Sequence, residues 1–549
     1  MNLGNRNAQH SFAQIPSVNI ARSSFDRSST VKDTFDFDYL VPIYADEVLP
    51  GDTFNLNLKV FARLATQKVP IMDNMYIDYF FFFVPNRLVY DKWEALNGAQ
   101  ENPEDTTDYI LPQITAPSGT GFTVGSLYDK MGLPTGVPGL LVKNTLPLRG
   151  YNLIYNQWFR DQNLQDSVPV PKDEGPDDVA DYVLQKRGKR HDYFTSALPW
   201  PQKGPAVELN LGSTAPVIGT TSPTNTGTLS SQIAATVSRT SGNWTDAAAK
   251  TLSSQTGSTD SNPRVLRVDN WNAALGLPHN HTIAALDVTG TADLTAATAV
   301  TINALREAFQ LQSLFELDAR GGTRYVEILK AHFGVISPDF RLQRPEFLGS
   351  GRSHINSHPV AQTAPGDSGT LANLAAFATS VQTGNNVGFT KSFVEHGYVF
   401  AIACARADIT YQQGLNRMWS RSTRYDFFWP KLQELGEQEI LNSEIYAQGT
   451  SEDDDVFGYQ ERYAEYRYKP SEIHGQFRST YSTSLDVWHL AEEFESLPAL
   501  NDVFIVQNTP IERAIAVPSE PHILLDAWIQ LKTARPMMTY SVPASLGRF

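Results

Sequence analysis

Apolar and polar residues alternate in two early stretches of the chain, and a third stretch breaks the alternation. Phe35, Phe37 and Tyr39 are separated by Asp36 and Asp38; Phe54, Leu56 and Leu58 are separated by Asn55 and Asn57. Successive side chains of a strand point to opposite faces, so period two predicts half-buried strands on either side of a turn at Leu49-Pro50-Gly51-Asp52. The third stretch, MYIDYFFFFVP at 75–85, puts Phe80, Phe81, Phe82 and Phe83 in succession. Both faces of that strand are aromatic, so both need a cover.

The period then changes. Tyr151, Ile154, Tyr155 and Trp158 fall at i, i+3, i+4 and i+7 and predict one helical face inside an otherwise proline-rich, loop-like region from 94 to 200. Ala304, Ala308, Leu311 and Phe315 make a second helical stripe, stopped by Gly321-Gly322. Strand patterns return at 398–402 and at 459–468, where Ala464, Tyr466 and Tyr468 face away from Glu465 and Arg467. Strands that follow one another without regular helices between them predict an antiparallel, mainly β fold.

Composition refines this picture at two places. Residues 205–300 contain no Phe and no Tyr, although an even spread of the chain's 29 Phe and 22 Tyr would put about nine there. A Thr/Ser/Ala/Gly-rich segment has little large apolar surface to bury, so it reads as an exposed insertion. Residues 1–32 form a polar arm in which Arg6, Arg22, Arg27 and Lys32 outweigh Asp26, in a chain of net charge -15. That arm is either a frayed terminus with chance charges, or an arm that crosses to a neighbour or touches nucleic acid through those four cations. The acidic whole is no binder of polyanions. The organisation expected is an arm at 1–32, a first β region at 33–204, the insertion at 205–300 and the remaining β region with a docked tail, RPMMTYSVPASLGRF, at 301–549.

A search for chemistry returns little. Cys404 is the single cysteine, which excludes an intrachain disulfide and a cysteine-built zinc site; within FAIACA it reads as a buried structural thiol. Gly349-Ser350-Gly351-Arg352-Ser353 lacks the Gly-Lys-Ser/Thr end of a phosphate loop and reads as a flexible loop. The basic run QKRGKR at 185–190 reads as a solvated loop. Neither His354 with His358 nor His279 with His281 has a metal-site context, and Asp453, Asp454 and Asp455 read as an acidic turn. No nucleophile elbow or zinc-helix motif is present, no cofactor is implied, and no run is apolar enough for a signal peptide or membrane span. The pattern is that of a building block whose aromatic area meets other surfaces.

Several long stretches carry a family resemblance: RSSFDRSSTVKDTFDFDYLVPIYADEVLPGDTFNLNLKVFARLATQKVPIMDNMYIDYFFFFVPNRLVYDKWE, LPLRGYNLIYNQWFRDQN, FELDARGGTRYVEILKAHFGVISPDFRLQRPEFLG, VFGYQERYAEYRYKP with LDVWHLA, and RPMMTYSVP. In that order they resemble the major capsid proteins of microviruses, the small icosahedral single-stranded DNA phages, and most closely the gokushovirus branch. The resemblance implies an eight-stranded antiparallel jelly roll with large inserted loops containing a few helices. It implies pentamers that close a sixty-subunit shell around circular single-stranded DNA in the virion, assembled in the bacterial cytoplasm. It implies that 205–300 is a threefold protrusion suited to a host surface receptor. The partners it implies are a small basic DNA-condensing virion protein, with scaffolding and pilot proteins. A phage tail or receptor-binding protein and a carbohydrate-active β-sandwich enzyme remain the competing readings of the residues themselves.

Overall fold

The structure, a computed structural model, describes residues 21–205, 302–361 and 374–540 apart from 107 and 385, and within 206–301 position 207 and four short strands. The chain divides into two compact units, Met1–Gly204 with Leu314–Phe549, and Pro205–Ser313.

The larger unit is built on one curled antiparallel sheet of ten strands: β1 (Ser23–Asp26), β2 (Ser29–Phe35), β3 (Val41–Val48), β4 (Thr53–Leu64), β5 (Met75–Pro85), β6 (Glu346–Ala361), β7 (Leu374–Gln382), β8 (Gly388–Ser392), β9 (Gly397–Ala407) and β10 (Ile523–Arg535). Eight run in the order β1-β10-β4-β7-β6-β5-β9-β3, while β2 adds to β10 and β8 to β4. Non-consecutive neighbours and a closed-over sheet make this the jelly-roll arrangement of a capsid-type fold. β6 is the corner. Its first part pairs with β5 (Glu346↔Phe83 to Ile355↔Met75) and its second with β7 (Asn356↔Thr379 to Ala361↔Leu374), so one strand serves both sides.

Alternation decides which residues line the inside. Phe54, Leu56, Leu58 and Val60 of β4 meet Ile77, Tyr79, Phe81 and Phe83 of β5 and Ile523, Leu525, Ala527 and Ile529 of β10 in one core. The turn between β3 and β4 is as the sequence predicts. Asp52 N–H donates to Leu49 O at 3.0 Å, and Gly51 takes a φ of +91° that suits glycine after Pro50.

The outer face of β5 and β9 has a second core of its own. Phe82, Val84, Phe400, Ile402 and Cys404 pack under the region between 88 and 184, which includes helix α1 (Leu146–Ile154) and the π turn Tyr155–Phe159 that continues it. Gly150 lets α1 approach closely, since a Cβ there would lie 3.0 Å from the Phe400 ring. The covering layer is pinned by Arg149, fully buried, whose Nε donates to Asp177 Oδ2 at 2.9 Å. Tyr182 and Thr145 hydroxyls donate to the same carboxylate at 2.6 Å. The cover for the aromatic strand is therefore the chain's own region between 88 and 184.

Two expectations need correction, and two others are met only in part by the described residues. Gly349-Ser350-Gly351-Arg352-Ser353 is no loop but part of β6, with a bulge between Phe347 and Gly349; a Cβ on Gly351 would meet the Val387 methyls at 2.5 Å. The strand expected over 459–468 ends at Glu461, and Tyr463 turns into the left-handed region before the 3₁₀ turn Ala464–Tyr466. The arm is ordered from β1 onward, because β1 and β2 extend the edge of β10. The tail, expected to be docked, exposes Met537, Met538 and Tyr540 in the single subunit, and 541–549 lie outside the described residues.

The second unit contains two antiparallel ribbons, Val217–Thr221 with Val288–Ala292 and Leu252–Ser254 with Leu266–Val268. Helix α2 (Ile302–Arg320) begins there and ends at Gly321, as the glycine pair predicts; α3 (Tyr325–Phe333) follows.

Candidate assembly interface

After β9 the chain leaves the sheet and runs as a series of tight turns, Arg417–Trp419, Arg424–Asp426 and Pro430–Leu432. Aromatic residues there follow neither period two nor 3.6, so no regular element hides them. Trp419 is 72% exposed, and Met418, Tyr425, Phe427, Phe428 and Trp429 are each exposed as well. At 150–250 Å² for a whole aromatic side chain, this leaves on the order of 500 Å² of apolar surface in one short segment. An exposed apolar patch of this size is often a functional contact surface.

The segment is held firmly despite its irregular backbone. Asn416 Oδ1 accepts from Met418 N at 3.0 Å, and Asp426 Oδ2 accepts from Thr423 N at 2.6 Å. The Trp429 indole N–H donates to Arg424 O at 2.9 Å, and Tyr463 O–H to Phe427 O at 3.0 Å. The Arg421 guanidinium lies 4.2 Å over the Tyr466 ring and pairs with Glu465 at 3.3 Å; that of Arg424 lies 4.6 Å over Trp429. Rigid aromatics and arginines that lose little entropy on contact are the residue types that anchor protein interfaces. This cluster went unnoticed in the sequence. Its signal was the density of aromatic and arginine residues in NRMWSRSTRYDFFWP, without periodicity.

Of the four cations singled out in the sequence, the three among the described residues each have a partner of their own. Arg6 lies outside the described residues. Arg22 Nη1 donates to Thr53 Oγ1 at 3.3 Å. Arg27 grips Asp46 with both amino groups, at 2.6 and 2.8 Å, and Lys32 stands 3.7 Å from Asp526 across the β2–β10 pair. Phe81, Phe82 and Phe83 are buried, and Phe80 is half-buried against Phe159 at 5.2 Å.

The basic run at 185–190 is not a solvated loop. Arg187 reaches Asp78 at 2.6 Å, and Lys189, buried, pairs with Glu492 at 2.7 Å while lying 4.2 Å over the Phe504 ring. Asp78 is the hub. Buried in β5, it also meets Arg352 at 2.6 Å and Arg406 at 2.8 Å. Burial pushes its carboxyl up, but the three guanidiniums outweigh it and hold the group below the ordinary carboxylate range.

Among the described residues the chemical candidates of the sequence have structural surroundings. Burial pushes the Cys404 thiol up to about 12, which keeps it protonated and unreactive. His354 packs edge-on against Tyr76 and His358 against Phe377, both in β6. Asp453 accepts from the backbone N–H groups of Gln448 and Gly449, as an acidic turn does. Among the described residues, no group of three His, Cys, Asp or Glu is placed to hold a metal ion, and no helix is long and apolar enough to cross a membrane.

Comparison with known proteins agrees with a surface-forming role. Residues 13–545 match the model of the family described as "Capsid protein (F protein)". The chain is 56% identical to the capsid protein VP1 of Bdellovibrio phage phiMH2K over the whole of both chains. It is 44% identical to the capsid protein VP1 of Chlamydia phage 1 and 34% identical to that of Spiroplasma virus 4, over 97% of each chain in both cases.

Proposed function

The chain belongs to the phage capsid protein (F protein) family, a structural family and not an enzymatic one, and from that premise we propose that it is the subunit of a sixty-copy icosahedral shell, built through pentamers around circular single-stranded DNA. The reading is supported most by one observation: a jelly roll whose own core is closed on both faces still presents a rigid aromatic and arginine surface between Arg417 and Trp429. Its proposed occupant is a second copy of the chain, because closed shells repeat one interface many times and demand fixed contact geometry.

In this reading the segment 205–300, free of Phe and Tyr, is a threefold protrusion of gokushovirus type and the contact with a host surface receptor. The net charge of -15 leaves neutralisation of the genome to a small basic virion protein. Scaffolding and pilot proteins complete the proposed set, with assembly in the host cytoplasm.

Electron microscopy of the protein purified from its natural lysate, with nuclease-protected DNA assayed on the same fraction, tests this. Small spheres holding protected single-stranded DNA are expected. Elongated trimers or free monomers without DNA would overturn it.

A further inference from the structure

A cavity of about 660 Å³ opens between the outer face of β5, the turn that ends the α1 helix, the 185–190 segment and the start of α3. Six guanidiniums line it, those of Arg160, Arg187, Arg190, Arg320, Arg324 and Arg406, of which Arg190 and Arg320 pair with Asp408 and Glu437. Three of them bring a buried Nε that lacks an aligned hydrogen-bond acceptor: Arg160, Arg324 and Arg406. Arg406 is more than nine-tenths buried, and although its Nε lies 2.8 Å from Asp78 Oδ2, that carboxylate is shared with Arg187 and Arg352. One buried negative charge thus serves three positive ones.

The carboxylates on the cavity wall offset only part of this charge. Glu327 Oε1 pairs with Arg324 Nη1 at 3.3 Å while its Oε2 accepts from the Arg324 backbone at 3.0 Å, and Asp161 Oδ1 accepts from the backbone of Asn163 at 2.8 Å. Arg160 and Arg324 stand close enough to disfavour each other: after burial, the Arg324 charge is the main influence lowering the Arg160 pKa. Arg324 Nη2 donates to Arg160 O at 2.6 Å, which fixes the pair side by side. Guanidiniums crowded in this way hold oxyanions well, because each offers a planar fork of donors.

Part of the lining is aromatic, with the Arg187 guanidinium 4.9 Å over the Phe80 ring. Phe80, Trp158, Phe159 and Phe347 line the same space and are each left partly uncovered by the rest of the chain. We propose that this cavity binds a nucleotide, its phosphate among the guanidiniums and its base against the rings. The volume lies in the range of small-molecule sites, and base stacking on aromatic side chains tolerates any base. The nucleotide is either free or one link of a DNA strand; only the strand source rests on the capsid reading.

The test uses the full chain with two photoreactive probes, iodo-deoxyuridine monophosphate and a short oligonucleotide carrying the same base. Crosslinked peptides are mapped by mass spectrometry, and affinity is measured by equilibrium dialysis with inorganic phosphate as competitor. Crosslinks at Trp158 or Phe159, saturable and far less sensitive to phosphate than to nucleotide, are expected. Arg406→Gln and Arg160→Gln should each weaken binding about tenfold or more, the worth of one charge-assisted bond. Arg160 carries the test where Arg406→Gln fails to fold.

Preference for the oligonucleotide identifies a strand, and preference for the monophosphate a free nucleotide; either supports the site. Phosphate competing as well as nucleotide, crosslinks elsewhere, or displacement of both probes only by an acidic peptide would overturn it. Particle formation is scored on the same preparations. Shells without these crosslinks defeat the cavity alone, and crosslinks without shells defeat the capsid reading alone.

Discussion

Phe82 and Trp158 lie with ring centroids 5.5 Å apart, on the side of β5 turned away from the sandwich core. The contact joins a strand residue to the π turn that follows α1, so the layer over the sheet is held by the ring it covers. Phe82 is 1% exposed and Phe80, two residues before it on the same face, is only half-buried. Replacing Phe82 by Ala removes a fully packed ring and should cost about 3–5 kcal/mol, while Phe80→Ala should cost clearly less. Chemical denaturation of the unassembled chain measures both. Equal losses would show that the outer face is not organised around Phe82.

This doubly covered strand was readable in the sequence because four successive phenylalanines violate the period-two pattern wherever only one face is buried. The cover was legible only as a helical stripe ending at Trp158; nothing in that stripe says which strand, some seventy residues earlier, it packs on. Gly349 and Gly351 were misread for a different reason: glycine's local preference for loops was overridden by pairing with β5 and by Val387 filling the space a Cβ would occupy. The 185–190 run was misread because charges look solvated until partners are known. Asp78 lies 109 positions from Arg187, and Glu492 lies 303 from Lys189. Long-range ion pairing leaves no periodic trace.

The Asp78 hub makes a sharper prediction. Asp78→Asn removes the carboxylate that three guanidiniums share and should destabilise the subunit by about 3–5 kcal/mol. The pH dependence has a definite sign. Because the folded-state pKa is depressed, the carboxylate's contribution is fully present above the ordinary carboxylate pKa of about 4 and fades as pH falls through the lower, folded value. Denaturation midpoints of the natural chain should therefore drop below pH 4, and the variant should lose part of that slope. An unchanged acid limb would remove Asp78 from its role.

Asp38 should behave in the opposite way. It is buried with a left-handed backbone, φ +71°, and accepts from Thr509 N at 2.6 Å and Thr509 Oγ1 at 2.8 Å. Burial pushes its carboxyl up to about 6, against the Thr509 hydrogen bonds and Lys186, with Glu492 adding repulsion. A raised carboxyl binds its proton more tightly folded than unfolded, so its contribution is fully present below about pH 4 and is lost as pH rises through 6. Asn tolerates the same backbone and does not titrate. Asp38→Asn should flatten stability between pH 4 and 6. A variant that keeps the full slope would assign it to another group.

The exposed loop after β9 sets the last prediction, which separates folding from assembly. Trp419 is 72% exposed and touches no core cluster of its own subunit. Its turn is capped by Asn416 rather than by the indole, so Trp419→Ala should leave the subunit's melting temperature within about a degree of the natural value. In the proposed shell the same indole would be a contact anchor. Burying most of a tryptophan at about 25 cal/mol per Å² is worth roughly 3–4 kcal/mol, and each 1.4 kcal/mol is tenfold in an equilibrium. The concentration needed for assembly should therefore rise by about a hundredfold or more, read by sedimentation of particles against free subunits. Tyr425→Ala, exposed in the next turn of the same segment, should act in the same direction. Loss of melting temperature in step with loss of particles would mean that these rings stabilise the fold, and undiminished assembly would mean that neighbouring copies meet elsewhere.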